Sequence, residues 1–430
     1  MQSYVTNITG DSFSGIIFAL QGMGHCVVLI NGSSGCKFYH SAVSDNQMIK
    51  QFEFSPLNYP EKWYFGQPCV PCTSLESDDY IYGSMDKLIE SLEFLQNTVP
   101  FDLLCIVNSP GAALIGDDLA GIANAIIKDK YLVIIETPGF SSDMCTGHEI
   151  GALELLKQLP LHENPPKMPK AVNILGISIF HKYYAGDIAE LRRLLALCGI
   201  EVSCVLCSER DIEHIKNIGS AALNIIIHPE YGERTAKYLN ARFGTPYYTC
   251  NGPPIGFTAT EKMMSDICMA LNADISLFME ESKRARGLAY SHISRVNSLT
   301  GLPKGVEFAI EGTYSELYAY TLFLVRYFGM IVECASVQNE HSNCFKGKFE
   351  ELLIDFGLSG ALHQDIMETR SELVFGSGNT IAGLKLRRHE FVGIETCLPT
   401  LGYIDIIPKT HLGLLGALTL TEQVLNGLIF

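Results

Sequence analysis

The chain has 430 residues, of which 47% are hydrophobic and 18% charged, and its formal net charge is −16 with a pI near 5.2. This acidic balance argues against binding to nucleic acid or to an anionic membrane, because both ligands require a basic protein surface. No basic segment followed by an apolar one opens the sequence, and no stretch approaches about 20 uninterrupted apolar residues, so we predict a cytoplasmic protein with no membrane segment.

Short apolar runs typical of strands alternate with helix-length amphipathic stretches. The predicted strands are Cys26–Ile30, Leu103–Val107, Leu132–Ile135, Val172–Ile177, Glu201–Leu206, Ala222–Ile227, Pro246–Thr249, Val306–Glu311 and Met330–Ala335. The predicted helices are Asp86–Gln96, Asp117–Lys128, Asp187–Cys198, Gly232–Ala241, Glu261–Asn272, Glu280–Arg295 and Thr313–Tyr327. Because this alternation gives parallel sheets with right-handed crossovers, we predict an α/β fold of Rossmann-like domains whose parallel sheets are flanked by helices.

Proline and glycine mark two predicted domain boundaries. Four prolines between Pro160 and Pro169 precede the apolar run Ala171–Gly176, which is typical of the first strand of a new domain. The second boundary lies within Asn297–Lys304, after a polar helix that resembles a connector. We therefore predict three α/β domains, at residues 1–165, 170–297 and 300–430, in keeping with the roughly 100–200 residues of a typical domain.

Four loops of small residues follow predicted strands. They are Asn31–Cys36, Asn108–Asp118, Glu136–Ser141 and Asn251–Gly256. Since open parallel sheets bind ligands at the carboxyl ends of their strands, these loops are the candidate binding loops. In the second loop, Asp117 and Asp118 begin a predicted helix, where carboxylates suit the positive end of the helix dipole, and capping alone would explain them.

Cys36 ends the first of these loops, directly after Gly35, and is the principal functional candidate. A buried strand that leads into small residues can bring a thiolate close to a bulky group such as an iron–sulfur cluster. The fourteen cysteines are scattered and contain no ferredoxin-type run, so a cluster must take its ligands from distant loops or from two chains. The two C-x-x-C pairs, Cys69/Cys72 and Cys204/Cys207, lack the second pair of a zinc ribbon, and we predict structural roles for them.

Other kinds of site have little support. The histidines His25, His40, His148, His228 and His411 are single, and no H-E-x-x-H or H-x-H pair indicates a mononuclear zinc or iron site. The chain has no G-x-S-x-G elbow, so a hydrolase would lack its nucleophile. It also has no G-x-x-x-x-G-K-[ST] nucleotide loop.

Motifs in a shared order along nearly the whole chain resemble nitrogenase component 1. The motifs are Gly32–Cys36, Thr73–Ser77 with Tyr82–Gly83, Leu114–Asp118, Thr137–Phe140, Phe243–Tyr247, Ile255–Thr260 and His411–Ala417. That family includes the molybdenum–iron protein, its cofactor-assembly scaffold, dark-operative protochlorophyllide reductase and the reductases that build the nickel tetrapyrrole of methanogens. The resemblance implies a three-domain α/β oxidoreductase subunit that pairs with a homologous α-like subunit, as α2β2, and receives electrons from an ATP-hydrolysing iron protein.

The resemblance also implies a cofactor. Full nitrogenase subunits each supply three cysteines to a bridging cluster, but here the first position falls at about Gly10 and the third at about Ser109 or Pro110. Only Cys36 matches, which is similar to the β-like subunit of the cofactor-assembly scaffold, where one cysteine joins three from the partner. The predicted cofactor is therefore an iron–sulfur cluster, [4Fe–4S], shared with the partner subunit, and ATP is expected only on the partner iron protein.

Further residues complete the predicted cofactor site. Gly35 stands beside the ligand and would be needed if the loop requires a positive φ or a close approach there. Ser109 is either a weak oxygen ligand or a capping residue. Cys145 lies at a predicted helix start, where the helix dipole would lower the thiol pKa. We predict a core position for Cys26, and for Cys250 either core packing or the lining of a cavity.

Three functions remain open from the sequence. The first is the β-like subunit of a nitrogenase-like reductase, which passes electrons from the iron protein through the interface cluster to a bound substrate. The second is an assembly scaffold, which carries a metallocluster precursor without turning over a substrate. The third is a cluster-free homologue that acts as a binding module. We favour the reductase, because nothing in the sequence indicates a particular cofactor-transfer role.

Overall fold

The strands of the described residues form three separate parallel sheets flanked by helices, which confirms the predicted α/β class. The computed structural model describes residues 10–36, 70–136, 142–208, 212–338, 344–387, 390–398 and 405–429. These residues divide into two compact units. The first unit is Gly10–Pro165 with Leu206–Gly219, and the second is Pro166–Val205 with the chain from Ser220 onward. The three sheets correspond to the three predicted segments, two of which share the second unit, and the three-domain division stays a prediction.

The first unit contains a three-stranded parallel sheet in the order β1-β2-β3. Its elements are α1 (Ser12–Gln21), β1 (Cys26–Asn31), α2 (Ser77–Tyr82), α3 (Met85–Thr98), β2 (Leu103–Asn108), α4 (Leu119–Ile126), β3 (Tyr131–Ile135) and α5 (Met144–Gln158), with a short helix at Ile212–Lys216. Strands β1 and β2 are buried along their whole length, which accounts for their continuous apolar sequences. Helices α1 and α5 lie so close together that a Cβ at Gly147 would be 1.9 Å from the Ser12 carbonyl oxygen.

The second unit contains two four-stranded parallel sheets, ordered β5-β4-β6-β7 and β11-β10-β8-β9. The elements of the first sheet are β4 (Met168–Leu175), α6 (Tyr184–Leu197), β5 (Glu201–Val205), β6 (Ala221–Ile226), α7 (Glu233–Phe243), β7 (Tyr247–Thr249), α8 (Phe257–Leu271) and α9 (Ser276–Thr300). Those of the second are β8 (Glu307–Gly312), α10 (Tyr314–Phe328), β9 (Ile331–Val337), α11 (Lys346–Asp355), β10 (Leu373–Ser377), α12 (Gly378–Leu386), β11 (Val392–Cys397) and α13 (Gly413–Ile429). One apolar core extends from Val172 in β4 to Phe308 in β8, so the two sheets form one unit.

The nine predicted strands are present, and the apolar pattern does not predict β10 and β11. Strand β11 is only partly apolar, with Gly393, Glu395 and Thr396 among its six residues. The buried Glu395 is paired with a lysine of another element, a contact that no local pattern reveals. No described helix combines the length and the apolar character that a membrane-spanning helix needs.

Candidate functional site

The loop Asn31–Cys36 places the Cys36 thiol at the C-terminal edge of the three-stranded sheet. Strand β1 ends at Asn31, and the chain then enters a helical turn in which the Cys36 N–H donates to the Ser33 carbonyl (3.0 Å). The thiol is partly exposed and lies 3.4 Å from the Ser33 hydroxyl. Since parallel sheets bind ligands at this edge, the loop presents its thiol where the sequence predicts a ligand.

The other described cysteines of the first unit are buried. They are Cys26, Cys72, Cys105, Cys145 and Cys207. The Cys26 and Cys105 sulfurs lie 3.6 Å apart between β1 and β2, in agreement with a core position for Cys26. Burial raises the pKa of the Cys207 thiol above its ordinary value. Among the described cysteines of this unit, Cys36 is thus the one whose thiol a second chain can reach, while Cys69 lies outside the described residues.

A buried polar network holds the backbone beneath Cys36. Asn31 Nδ2 donates to Asn108 Oδ1 (2.9 Å) and to Ser84 Oγ (3.2 Å). Asn31 Oδ1 accepts from Thr73 Oγ1 (2.9 Å), and that hydroxyl oxygen accepts from the Gly32 N–H (3.0 Å). Because these polar groups satisfy one another away from water, the network anchors the start of the loop to the neighbouring strand β2.

Asp117 belongs to the same network. Its Oδ2 accepts hydrogen bonds from both the N–H and the hydroxyl of Ser84, each at 2.7 Å. Capping therefore explains only Asp118, whose Oδ1 accepts from the Gly121 N–H (2.8 Å) at the start of α4. The expectation that capping alone accounts for both aspartates is wrong for Asp117, because that side chain ties the loop after β2 to the start of α3.

Ser109 lies at the end of β2, next to Gly32. It is fully buried, and its N–H donates to the Asn31 carbonyl (2.8 Å). Its hydroxyl accepts from the Ala112 N–H (3.3 Å) at the start of a short 3-10 helix, Ala112–Leu114. This geometry favours the capping role of the two predicted for Ser109, and its role as an oxygen ligand stays a prediction.

The two glycines of the Cys36 loop have different steric surroundings. A Cβ at Gly32 would lie 2.5 Å from Ser109 Oγ and 2.6 Å from Ser109 Cβ. Among the described residues, a Cβ at Gly35 would meet only Ser33 Oγ, at 3.8 Å. Neither glycine has a positive φ. Of the two glycines, it is therefore Gly32 that lets the loop approach another residue of this chain, Ser109. The predicted nearness of Gly35 to a cofactor stays a prediction.

We expect Gly32→Ala to lower the free energy of unfolding by about 1–3 kcal/mol, because its methyl group overpacks against Ser109. Gly35→Ala should change it by less than about 0.5 kcal/mol, as for an open surface site. Pulse proteolysis across a urea series measures both values, since the protease cleaves only the unfolded chain. The matched pair isolates the Ser109 contact, and equal losses in the two variants would contradict this account.

Cys145 lies in the first turn of α5, which confirms the predicted helix start. The N-cap is Asp143, whose carboxylate accepts from the Thr146 N–H (2.8 Å). The Cys145 side chain is only 1% exposed, however, whereas a ligand shared between two chains needs a thiol at the surface. Cys145 stays a predicted cofactor residue, with less support than Cys36.

In the second unit, the fold brings together His181, His228 and Glu316, although their sequence spacing indicates no site. One ligand atom from each side chain lies within 4.8 Å of the others, a spacing that could hold a metal ion. His181 follows β4 and His228 follows β6, which are neighbouring strands, and the two imidazoles stack with centroids 3.8 Å apart. In the sequence, a histidine follows each of two predicted strands, which is a signal for a histidine pair. Only the strand order shows that the two strands are neighbours and that the histidines meet.

Burial sets the protonation of this histidine–glutamate group. Desolvation lowers the pKa of His228 to about 3 and raises the pKa of Glu316 to about 7, against hydrogen bonds from Thr313 that favour the carboxylate. His181 Nδ1 already accepts from the Ser178 N–H (3.1 Å). The group thus consists of two stacked imidazoles beside the Glu316 carboxyl, whose pKa is about 7. One ring nitrogen, His181 Nδ1, already accepts a hydrogen bond from the backbone.

The described residues of the first unit fit one ligand of an iron–sulfur cluster. Cys36 has a partly exposed thiol on an anchored loop, and the remaining described thiols of the unit are buried. A cluster of four irons usually has four cysteine ligands. If Cys36 binds such a cluster, the other three ligands would come from a second chain or from residues outside those described.

The sequence and the fold of the chain match those of known proteins. Residues 12–429 match the family described as Nitrogenase component 1 type Oxidoreductase. The B subunit of the light-independent protochlorophyllide reductase from Heliobacterium modesticaldum is 23% identical over 310 residues, which cover 69% of this chain and 57% of that protein. The nitrogenase vanadium-iron protein beta chain of Trichormus variabilis is 22% identical over 306 residues, covering 64% and 61%. The matched segments thus span about three fifths of the length of these relatives.

A solved structure, nitrogenase Cp1 at pH 6.5, has the same fold. Its TM-score is 0.76 at 17% sequence identity, and the alignment covers 98% of this chain and 92% of that chain. At this level of identity the likeness establishes the arrangement of strands and helices and carries no statement about ligands.

Proposed function

Because the chain belongs to the nitrogenase component 1 type oxidoreductase family, we propose that it is the β-like subunit of a nitrogenase-like reductase. It would pair with a homologous α-like subunit in an α2β2 complex and receive electrons from a separate iron protein, which alone binds ATP. The B subunit and the beta chain among its relatives support a β-like role. We place the complex in the cytoplasm, where thiols stay reduced, and no disulfide joins two of the described cysteines.

The exposure of Cys36 carries this proposal. We infer that its thiolate is one ligand of a [4Fe–4S] cluster at the subunit interface, with three ligands from the partner. When bound, such a cluster accepts and releases single electrons between the iron protein and the substrate. Among the described cysteines of the first unit, Cys36 is the one whose thiol is accessible to a second chain.

The surrounding residues position this thiolate. The Ser33 hydroxyl, 3.4 Å from Cys36 Sγ, can donate a hydrogen bond to the sulfur, and such bonds tune the potential of iron–sulfur clusters. Among the described residues, a Cβ at Gly35 would meet only Ser33 Oγ within 4 Å, which leaves space for a cofactor beside the loop. The buried network of Asn31 and Thr73 holds the backbone, so the sulfur is presented from a preorganised loop.

A second function, the metallocluster assembly scaffold, is favoured by the single-cysteine pattern. A third function, the cluster-free binding homologue, is favoured because the described residues of the first unit contain no second accessible thiol. Both alternatives use the same fold. They differ from the reductase in what the assembled complex does with iron and with electrons.

The test is the iron and acid-labile sulfide content of the complex, purified anaerobically with its native partner, followed by assay with the iron protein and ATP. We expect about four irons per αβ pair, a low-temperature EPR signal on reduction, and many substrate turnovers coupled to ATP hydrolysis. Release of one cluster per complex without turnover would instead establish the scaffold. A complex without iron would leave the binding homologue, and about eight irons would mean that further cysteines are ligands.

A further inference from the structure

The second unit contains a cavity that the proposed function does not use. Its volume is about 370 Å³, and it lies between the loop Asn251–Gly256 and the helices α8 and α10. That loop follows β7 and is one of the four that the sequence indicates as binding loops. Pockets that enclose small organic ligands have volumes of roughly 300–1,000 Å³, so the cavity is of ligand size.

Aromatic rings form one wall of the cavity. Phe323 and Tyr327 of α10 stack with their centroids 5.1 Å apart, and Phe257 of α8 lies 5.4 Å from Tyr327. Met263 and Leu322 add aliphatic surface. Because the rings hold one another in place, the wall exists before a ligand arrives, and its faces and edges suit the offset or edge-on packing of a planar ring.

Gly256 allows the loop to close against this wall. Its φ is +83°, and a Cβ at this position would lie 2.3 Å from the ring of Phe323. Both the positive φ and the missing side chain are therefore required. Gly256, the glycine of the motif Ile255–Thr260, is thus needed in this chain for the shape of the cavity.

Cys250 lines the cavity and is buried, so it satisfies both alternatives that the sequence left open. Burial raises the pKa of its thiol above the ordinary value, and the nearby charge of Asp266 adds to this. The neutral thiol is a poor nucleophile and a poor metal ligand. The buried Cys250 thiol is therefore a neutral part of the cavity wall.

The polar groups of the cavity favour an anion. Lys262 and Arg326 line it, and the Lys262 ammonium is already paired with Asp266 at 2.5 Å. Arg326 forms no ion pair within the described part of the chain, and its guanidinium lies over the ring of Phe356 at 5.8 Å. The chain has a net charge of −16, yet the exposed Arg326 guanidinium at the cavity has no carboxylate partner among the described residues. It can therefore bind a negatively charged group of a ligand.

We propose that this cavity binds a small planar aromatic anion, such as an aromatic carboxylate or sulfonate. Its ring system would pack against Phe323 and Tyr327, and its charged group would meet Arg326. The proposal is independent of Cys36 and of any cluster, because the cavity lies wholly within the second unit.

The test uses naphthalene-2-sulfonate as the probe and naphthalene-2-sulfonamide, which has nearly the same shape but no charge, as its control. Isothermal titration of the native complex should give one site per chain, with the sulfonate bound about fivefold more tightly than the sulfonamide, the effect of one solvent-exposed ion pair. Arg326→Glu should remove that preference, whereas Arg295→Glu, an exposed arginine away from the cavity, should retain it.

A filling variant tests the cavity itself. Ala259→Trp, at the start of α8, should weaken binding of both probes more than about tenfold by occupying the space that the ring needs. Met269→Trp on the same helix is the control, since Met269 is 78% exposed and does not line the cavity. If Ala259→Trp does not fold, Leu322→Trp fills the cavity from α10. Unchanged binding in the folded filling variant, or equal affinity for the two probes, would overturn the proposal.

Discussion

Replacing Cys36 by alanine should lower the iron content of the anaerobically purified complex from about four to below about one per αβ pair, while the chain stays folded. The thiol is partly exposed, and its one hydrogen-bond-range contact among the described residues is the Ser33 hydroxyl. The loop backbone is held by Asn31 and Thr73, so removal of Sγ leaves the network intact. Because the proposed cluster would take ligands from both subunits, their association should weaken together with iron binding.

Two further variants separate the Cys36 ligand from a general loss of thiols. Cys344→Ala removes an exposed cysteine of the second unit and should leave the iron content unchanged. Cys145→Ala examines the second predicted cofactor residue, and full retention of iron would exclude it as a ligand. Iron and sulfide analysis, EPR and size-exclusion chromatography provide the three measurements. A Cys36→Ala complex with its iron unchanged would reject the ligand assignment.

Replacing Lys182 by methionine should lower the free energy of unfolding by about 3–5 kcal/mol, the largest stability loss that we expect. The Lys182 side chain is 1% exposed, its ammonium contacts Glu395, and it lies 2.6 Å from Asp405 Oδ2. Although partial burial opposes ionisation, the hydrogen bond from Lys182 holds the pKa of Asp405 below its usual value. Without the ammonium, Glu395 would remain buried as an uncompensated charge or would have to take up a proton.

The loss in Lys182→Met should depend on pH. If the buried Glu395 carboxylate takes up a proton once its cation is removed, the folded state binds a proton that the unfolded state lacks at neutral pH, so stability falls as pH rises. Pulse proteolysis in urea at pH 6 and pH 8 should therefore show the larger loss at pH 8. Adding Glu395→Gln to Lys182→Met should recover part of it.

Lys262→Met is the matched control for the buried pair. Lys262 also contacts a carboxylate, Asp266, at 2.5 Å, but its side chain is 71% exposed. Exposed pairs contribute only about 0–1 kcal/mol, so this variant should unfold close to the urea concentration of the parent chain. Similar losses in the two methionine variants would show that burial does not increase the contribution of the Lys182 ion pair to the free energy of unfolding.

Local composition predicts the strands whose whole length is buried. Strand β2 is apolar at five of its six positions because both faces of a parallel sheet are covered, and such a run needs no knowledge of its neighbours. Strand β11 is not predicted, since its Glu395 is tolerated only opposite Lys182, 213 positions earlier in the chain. Sequence patterns thus succeed where burial alone selects the residue and fail where a distant partner does.

The candidate site shows the same division. The position of Cys36 in a loop after a buried strand can be predicted, because the apolar run and the small residues that follow it are local features of the sequence, and its role as a ligand stays a prediction. The Asn31 network cannot, because it depends on the parallel register that places Asn31 beside Asn108. The requirement for glycine falls on Gly32 for the same reason, since only the folded chain brings Ser109 next to it.

By itself, the sequence determined the α/β class, most of the strands and the family, because hydrophobic periodicity and motif order are properties of neighbouring residues. Only the tertiary structure decided the network beneath Cys36, the stacking of His181 on His228, the burial of Lys182 and the aromatic cavity. The physical reason is that each of these joins residues far apart in the chain, and strand order and register determine which of them meet.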